Sequence, residues 1–223
     1  MPRIALPAQH FTTVTAAALP LAGWALHTRH LHRRLDTARR DPLTGLYGRE
    51  GFTRAATRLI DRGPLALVVL VDLDAFKDLN DAMGHAAGDT VLARTAARLD
   101  GWATIGVAGR FGGDEFVAVL PLTGDADGWD SANEELAYLH QSLTTPVPHD
   151  GDGLRVGASV GGYLATPDVA LSAALTAADA AMYAAKRAGG GPRLAHGGVM
   201  LRPGAAPRRW RRNRPSAVTG WAA

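Results

Sequence analysis

The stretch that decides the fold is residues 65–74, which read LALVVLVDLD. Residues 65–71 are all apolar, a pattern typical of a strand that is buried on both faces. Two helical segments, 75–83 and 88–99, follow this strand and are separated near Gly84. A buried strand next to helices predicts an α/β domain of the α+β kind, with a mixed central sheet flanked by helices.

The segments around this stretch supply the other elements of the same domain. Apolar periodicity and the positions of glycine and proline mark their ends. Predicted helices cover 43–60, 129–143 and 168–188, and predicted strands cover 103–108, 115–120 and 154–163. From the buried strand onward the order is β-α-α-β-β-α-β-α, in which the second and third strands form a β-hairpin.

Charge is unevenly distributed along the chain. The net charge is +3, but residues 41–191 hold 11 basic and 20 acidic residues. An acidic domain argues against specific nucleic-acid binding, whose footprint is usually basic, and suits one that binds divalent metals through carboxylates. The chain has no cysteine, which excludes disulfides and thiolate metal sites.

The two flanks are predicted to lie outside a folded domain of residues 41–196. Residues 4–26 carry no formal charge and precede several arginines, a pattern typical of a single membrane anchor with the domain on its cytoplasmic side. The alternative for residues 1–40 is an amphipathic leader helix with a basic linker. Residues 197–223 are rich in Gly, Pro and Arg, which predicts a disordered tail that is solvated; the alternative is a tail that binds anionic lipid at a membrane surface or nucleic acid.

The first acidic cluster, Asp72 and Asp74, ends the buried strand. Carboxylates held at the end of a strand are suitable ligands for Mg²⁺, which prefers oxygen donors in tight geometry. For Asp74 we favour another role, because a residue just before a helix is well placed to cap it. Asp72 adjoins an apolar run and therefore needs a partner.

The second cluster is GGDEF, residues 112–116, between the two strands of the predicted hairpin. Its two glycines suit a tight turn with positive φ and a close approach of the backbone to a ligand. Farther upstream, Asn80 and Asp89 lie on either side of Gly84 and His85. An acid and an amide together can discriminate guanine from adenine, although each residue alone is more typical of a helix cap or turn.

Five segments together closely resemble the GGDEF family of diguanylate cyclases, in the family's order and at its spacings. They are DPLTGLYGR (41–49), VDLDAFKDLND (71–81), GHAAGD (84–89), RFGGDEF (110–116) and ADAAMYAAK (178–186). The resemblance covers about residues 41–192. It implies a fold similar to a polymerase palm or an adenylyl cyclase core.

The resemblance implies an enzyme that condenses two GTP into cyclic di-GMP and releases two pyrophosphates. Each domain would hold one GTP, and two chains would meet as a homodimer with two half-sites. Each half-site would bind two Mg²⁺, with Mn²⁺ as a substitute, through Asp72, the Leu73 carbonyl, Asp114 and Glu115. Asp114 and Glu115 would be the catalytic acids. The alternative is a regulatory module that binds GTP without turnover.

The resemblance also implies which residues contact the substrate. Phosphates would meet the amides near Ala75 and Phe76 and the charges of Lys77 and Lys186, and guanine would meet Asn80 and Asp89. The remaining substrate-binding residues would be His85, Arg110 and Gly113.

The chain departs from the family pattern in several places, and two of these departures bear on activity and its regulation. The family's last helix usually continues as Lys-x-x-Gly-Arg-Asn, but Gly190 stands here in place of the phosphate-contacting arginine. Loss of one charged contact costs about 1.5–3 kcal/mol, so we expect weakened activity. The family's product-inhibition motif, Arg-x-x-Asp, corresponds to Thr104 and Val107, and we therefore expect no feedback inhibition through that site.

Overall fold

A computed structural model of the chain describes residues 40–122, 128–149 and 152–195. The proposed anchor, 4–26, and the arginine-rich tail, 197–223, lie outside these residues. Within the described part, no helix is long and apolar enough to cross a membrane.

The described residues form five helices and seven strands. The helices are α1 (Arg49–Arg62), α2 (Phe76–Met83), α3 (His85–Trp102), α4 (Gly128–Leu143) and α5 (Leu171–Arg187). The strands are β1 (Leu65–Asp74), β2 (Val107–Gly112), β3 (Glu115–Leu122), β4 (Val147–His149), β5 (Asp152–Leu154), β6 (Gly157–Ala165) and β7 (Gly191–Leu194).

Five of the strands form one sheet in the order β2-β3-β1-β6-β7. Strand β1 is central and runs antiparallel to both β3 and β6, whereas β6 and β7 are parallel. Strands β4 and β5 form a separate two-stranded sheet. The predicted mixed central sheet flanked by helices is therefore confirmed.

The apolar run at the start of β1 is buried because helices cover both faces of the sheet. Leu67, Val69 and Val71 belong to a core cluster that includes residues of α3 and α4. Ala66 and Val68 belong to a second cluster that includes residues of α1 and α5. A strand covered on both sides needs apolar residues at odd and even positions alike, which explains the unbroken run.

Helix α5 lies directly on β6, and a glycine makes this contact close. A Cβ at Gly161 would collide with the Ala178 carbonyl and the Met182 amide of the helix and would lie 2.7 Å from Met182 Cβ. Because backbone atoms form this contact, the helix cannot yield by moving a side chain. The position of α5 over the sheet is therefore fixed at Gly161.

Two predicted boundaries were wrong. The helix predicted over 43–60 begins at Arg49, because residues 41–48 form a turn and a short bridge in which Tyr47 pairs with Gly109. The strand predicted over 103–108 begins at Val107, because α3 continues to Trp102 and keeps that side chain in the core.

The segment predicted as one strand over 154–163 is divided between β5 and β6, and β6 continues to Ala165. Strands β4 and β7 were not predicted. They are three and four residues long, which is too short for a recognisable periodicity.

We expect Gly161→Ala to lower the free energy of unfolding by about 1–3 kcal/mol, because the methyl group overpacks a backbone contact. Gly101→Ala is the matched control. Gly101 lies in α3, where an added Cβ meets nothing within 4 Å. That variant should be more stable than the parent by roughly 0.5–1 kcal/mol, because alanine favours a helix. Urea unfolding monitored by circular dichroism measures both, and equal stabilities would contradict the close α5 contact.

Candidate functional site

The sheet register brings two of the predicted metal-binding acids side by side. Asp72 on β1 pairs with Glu115 on β3 and with Ser159 on β6. Directly paired residues of antiparallel strands project from the same face, with Cβ atoms about 4.5–5.5 Å apart. Two carboxylates therefore share the face that α5 covers, at the end of the sheet where β1 stops.

The β2–β3 hairpin has the conformation that its glycines predict. Gly112 has φ 139° and Gly113 has φ 53°, both in the region that favours glycine. The pairing of β2 and β3 shifts between Arg110 and Gly112. This turn places Asp114 immediately before Glu115, at the end of the hairpin.

Arg110 holds the hairpin turn in place. Its Nε and Nη2 donate to the Gly113 carbonyl at 3.0 and 2.7 Å, and its Nη1 donates to Asp41 Oδ1 at 3.0 Å. The guanidinium thus joins the turn to the segment that precedes α1. Its contact with substrate stays a prediction, because these bonds show only a positioning role.

Asp41 is the acceptor at the centre of this arrangement. Its Oδ1 also accepts from the Thr44 amide at 2.9 Å and from Thr44 Oγ1 at 2.6 Å. Partial burial acts to raise the pKa of Asp41, but the bonds from Thr44 and Arg110 outweigh it and hold the pKa below its ordinary value. The ionised carboxylate is therefore the form that the fold stabilises.

The prediction that Asp74 caps the next helix was wrong. Helix α2 follows Ala75, which has φ 53°, and no side chain caps it. Asp74 Oδ1 instead accepts from Ser159 Oγ at 2.7 Å, and a Cβ at Gly157 or Gly190 would lie only 2.8 Å from Oδ2. The strand register explains the position of the Asp74 side chain. Asp74 pairs with Gly157, which has no side chain and so leaves space for the carboxylate over β6.

Lys186, in the last turn of α5, forms an ion pair with Asp72. Its Nζ lies 2.6 Å from Asp72 Oδ1. This hydrogen bond raises the pKa of Lys186 above its ordinary value; partial burial opposes the shift, and the charges of Asp72, Asp114 and Asp74 reinforce it. The predicted phosphate-binding lysine therefore neutralises a predicted metal ligand in this structure.

The residues predicted to read guanine lie on the adjoining helix pair α2–α3. A Cβ at Gly88 would collide with Asn80 Oδ1, so the Asn80 side chain is packed against the start of α3. Asp89 is the next residue after Gly88 and is exposed. The structure thus brings Asn80 close to the part of α3 that carries Asp89, whereas their contact with a base stays a prediction.

The predicted phosphate-binding residues lie where β1 passes into α2. Ala75 has positive φ, so the chain turns sharply before Phe76 and Lys77 enter the first turn of the helix. Lys77 is exposed, as is His85 at the start of α3. Ala75, Phe76 and Lys77 lie next to the end of β1, whereas His85 lies beyond α2; the roles of all four in substrate binding stay predictions.

The donor set at the end of the sheet fits a hard divalent cation chemically. Asp72 and Glu115 are neighbours, Asp114 is adjacent in the chain, and carboxylate oxygens are the ligands that Mg²⁺ prefers. In the arrangement shown, Lys186 is bound to Asp72. Within residues 40–122, 128–149 and 152–195, no three acidic or histidine side chains are grouped closely enough to hold a metal ion.

Comparison with known proteins identifies the family to which these sequence motifs and this fold belong. The family described as diguanylate cyclase, GGDEF domain, matches residues 38–192. This chain belongs to the GGDEF family. An uncharacterized 19.3 kDa protein of Streptomyces ambofaciens is 53% identical to it over 174 residues, which cover 77% of this chain and 91% of that protein. The enzymes of this family are diguanylate cyclases, a class of nucleotidyltransferase.

Named GGDEF relatives are longer than this chain. Diguanylate cyclase DgcP of Pseudomonas aeruginosa is 37% identical over 74% of this chain, which spans only 25% of DgcP. The crystal structure of a sensory box/GGDEF family protein from Caulobacter crescentus has a TM-score of 0.61 and 39% identity. The match covers 67% of this chain and 99% of the chain in that crystal structure. The GGDEF fold predicted from the sequence is thereby confirmed.

Sequence reasoning missed three residues that shape this GGDEF site. Ser159 and Gly157 accommodate Asp74, but Ser159 is 85 positions away and no local pattern connects the two. Thr44 had a signal, because an aspartate three residues before a threonine is typical of a turn closed by side-chain bonds. Reading Asp41 in that way would have placed the turn before α1.

We expect Asp41→Asn to lower the free energy of unfolding by about 1–3 kcal/mol at neutral pH, because the bond with Arg110 loses its charge. The folded-state pKa of Asp41 is depressed, so its contribution is present above the unfolded-state pKa and is lost as pH falls through the folded-state pKa. Urea unfolding at several pH values should show the difference from the parent shrinking below about pH 4. A difference that is independent of pH would contradict this assignment.

Gly190→Arg, which restores the usual family residue, is expected to destabilise the fold by about 1–3 kcal/mol. Gly190 has φ +95°, and any Cβ there meets the Asp74 carboxylate, which Ser159 holds. Gly190→Ala should be nearly as unstable, because the conflict is at Cβ.

Gly189→Ala separates the two causes, since Gly189 has φ +98° but no atom lies within 4 Å of an added Cβ. This variant should show only the loss of unfolding free energy that comes from placing a side chain at positive φ. Thermal unfolding measures all three variants, and a Gly190→Arg protein as stable as the parent would show that the loop accepts the usual residue.

Proposed function

We propose that this chain is a diguanylate cyclase that condenses two GTP into cyclic di-GMP. The observation that carries the proposal is the cross-strand pairing of Asp72 with Glu115, with Lys186 bound to Asp72. In the reaction, the 3′-oxygen of each GTP forms a bond to the α-phosphorus of the other. Two pyrophosphates leave, and the two hydroxyl protons are lost to solvent.

The acids would form the metal site of this reaction. Asp72, Asp114 and Glu115, with the Leu73 carbonyl, would hold two Mg²⁺ or Mn²⁺ in each half-site. When bound, the metals would polarise the triphosphate and favour ionisation of the attacking 3′-hydroxyl. In support, pairing of β1 with β3 ends at Asp72, whereas pairing with β6 continues to Asp74. Leu73 thus lies just beyond β3, beside the hairpin turn.

The residues around the metal site would hold the nucleotide. Ala75, with its positive φ, is the single residue between β1 and α2, so Phe76 and Lys77 follow the end of β1 directly and would meet the phosphates there. Lys186 would add a second charge, and His85, Arg110 and Gly113 would lie beside the substrate.

The guanine base would be read by Asn80 and Asp89. The packing of Asn80 against Gly88 supports this role, because it limits the positions that the amide can adopt.

The active unit would be a homodimer. One chain would supply one set of metal acids and one guanine-binding pair, which suffices for a single GTP. Two GTP must meet head to tail for both phosphodiester bonds to form, so two copies would face each other across their hairpins.

A second candidate function is a regulatory GGDEF module that binds GTP without turnover. Gly190 favours it, because the usual arginine is absent and the loop leaves little room for one. Cyclic di-GMP phosphodiesterase NbdA of Pseudomonas aeruginosa is also 36% identical, over 59% of this chain. A GGDEF sequence can thus be part of a protein that is named as a cyclic di-GMP phosphodiesterase.

The test is to incubate the full chain at high concentration with GTP and Mg²⁺ and to identify products by mass spectrometry. The parent should make cyclic di-GMP and pyrophosphate. Asp114→Ala and Glu115→Gln should reduce the rate by about 100-fold or more, because each removes a carboxylate that would hold the metal ions at the reacting phosphates.

Asp100→Asn is the matched control, because Asp100 is an exposed acid near the end of α3, outside the proposed site. Its rate should stay within about twofold of the parent, as for most surface changes. GTP binding by the parent without any product would favour the regulatory module. Product formation by Glu115→Gln at the parental rate would contradict the assigned metal site.

A further inference from the structure

The ion pair between Lys186 and Asp72 has a consequence for metal binding. We propose that the Lys186 ammonium is an internal counter-cation of the metal site, which a divalent cation must displace from Asp72. The inference rests on the proposed function, because it takes Asp72 to be a ligand of the cyclase metals. It adds to that function the expectation that metal and nucleotide bind cooperatively.

The first support is the geometry of the contact. Lys186 Nζ lies 2.6 Å from Asp72 Oδ1, on a carboxylate that has Glu115 directly opposite. A cation bound to this carboxylate meets the ammonium at a distance at which like charges repel strongly. The ammonium and a metal therefore compete for Asp72.

The second support is that the two partners differ in freedom to move. The Asp72 side chain is only 13% exposed, on the central strand, whereas the Lys186 side chain is 47% exposed. The backbone of Lys186 is fixed, because the preceding residue, Ala185, is 2% exposed and α5 packs closely on Gly161. The long lysine side chain can therefore leave the carboxylate while the helix stays in place.

The third support is the balance of charge around the cluster. Ser159 donates a neutral hydrogen bond to Asp74, and Gly190 beside it has no side chain. Among the described residues, Lys186 is a cation in direct contact with a carboxylate at the end of β1. Its departure leaves Asp72 without this ion pair unless another cation replaces it.

The exchange explains why metal and nucleotide would bind together. A metal ion alone must break the ion pair and supplies no new partner for Lys186. A metal–triphosphate complex provides a cation for Asp72 and phosphate oxygens for Lys186. The affinity for metal should therefore be low without nucleotide and should rise when the triphosphate is present.

The test is titration of the full chain with Mn²⁺ without nucleotide, in which electron paramagnetic resonance measures the free ion. Lys186→Met removes the charge and shortens the unbranched side chain by only one atom. We expect it to bind Mn²⁺ about five- to twentyfold more tightly than the parent, because no ammonium occupies Asp72. Lys186→Gln provides a second, polar variant of similar length.

Two control variants separate the ion pair from general charge effects. Arg187→Met removes the same charge from the next, exposed residue and should bind Mn²⁺ within about twofold of the parent, because exposed charges are screened. Asp72→Asn combined with Lys186→Met should lose the gain. Thermal unfolding of each variant identifies changes that arise from loss of fold.

A second readout uses 3′-deoxy-GTP, which cannot form the product because it has no attacking hydroxyl. In the parent, it should strengthen Mn²⁺ binding, since Lys186 gains the triphosphate as its partner. In Lys186→Met this coupling should be several-fold weaker, because no ion pair is exchanged.

Equal or weaker Mn²⁺ binding by both Lys186 variants overturns the inference. If cyclic di-GMP is still produced by the parent, the proposed function stands and only the role of Lys186 as counter-cation fails. If the parent makes no product, and neither the parent nor a Lys186 variant binds Mn²⁺ with or without 3′-deoxy-GTP, the inference and the proposed function are overturned together.

Discussion

The site depends on the register of β1 between its two antiparallel neighbours. That register sets Asp72 opposite Glu115 on one side and Ser159 on the other. A shift of one residue would turn Asp72 toward the core under α3 and α4, where an unpaired carboxylate is costly. Gly161 reinforces the register, because β6 must present a residue without a side chain where α5 rests on it.

The same register creates a repulsion that the fold must offset. Like charges directly opposite on neighbouring strands are destabilising, and Asp72 and Glu115 are such a pair. Lys186 opposes this repulsion from α5. The arrangement is therefore a balance that a bound cation can alter, whereas the apolar layers on both faces of β1 hold the strands in place.

Glycine at position 190, where the family usually has arginine, is linked to this arrangement of acidic side chains. Asp74 extends over β6 instead of capping α2, and its carboxylate occupies the space that a side chain at Gly190 would need. The loop after α5 turns through three glycines with positive φ, of which Gly190 is the middle one. The backbone conformation and the neighbouring carboxylate thus both favour glycine at position 190. In the sequence, this preference is visible only as the absence of the family's usual arginine.

The sequence by itself determined the buried strand 65–71, the helix break at Gly84, the glycine turn before Asp114 and membership of the GGDEF family. These features depend on local composition or on short motifs, which a linear pattern records directly. Only the tertiary structure decided that Asp74 binds Ser159 and that Lys186 binds Asp72. Those partners are 85 and 114 residues apart, and strand register and helix packing bring them together. No pattern within either segment specifies such a contact, because its energy arises only after the sheet and its covering helix have formed.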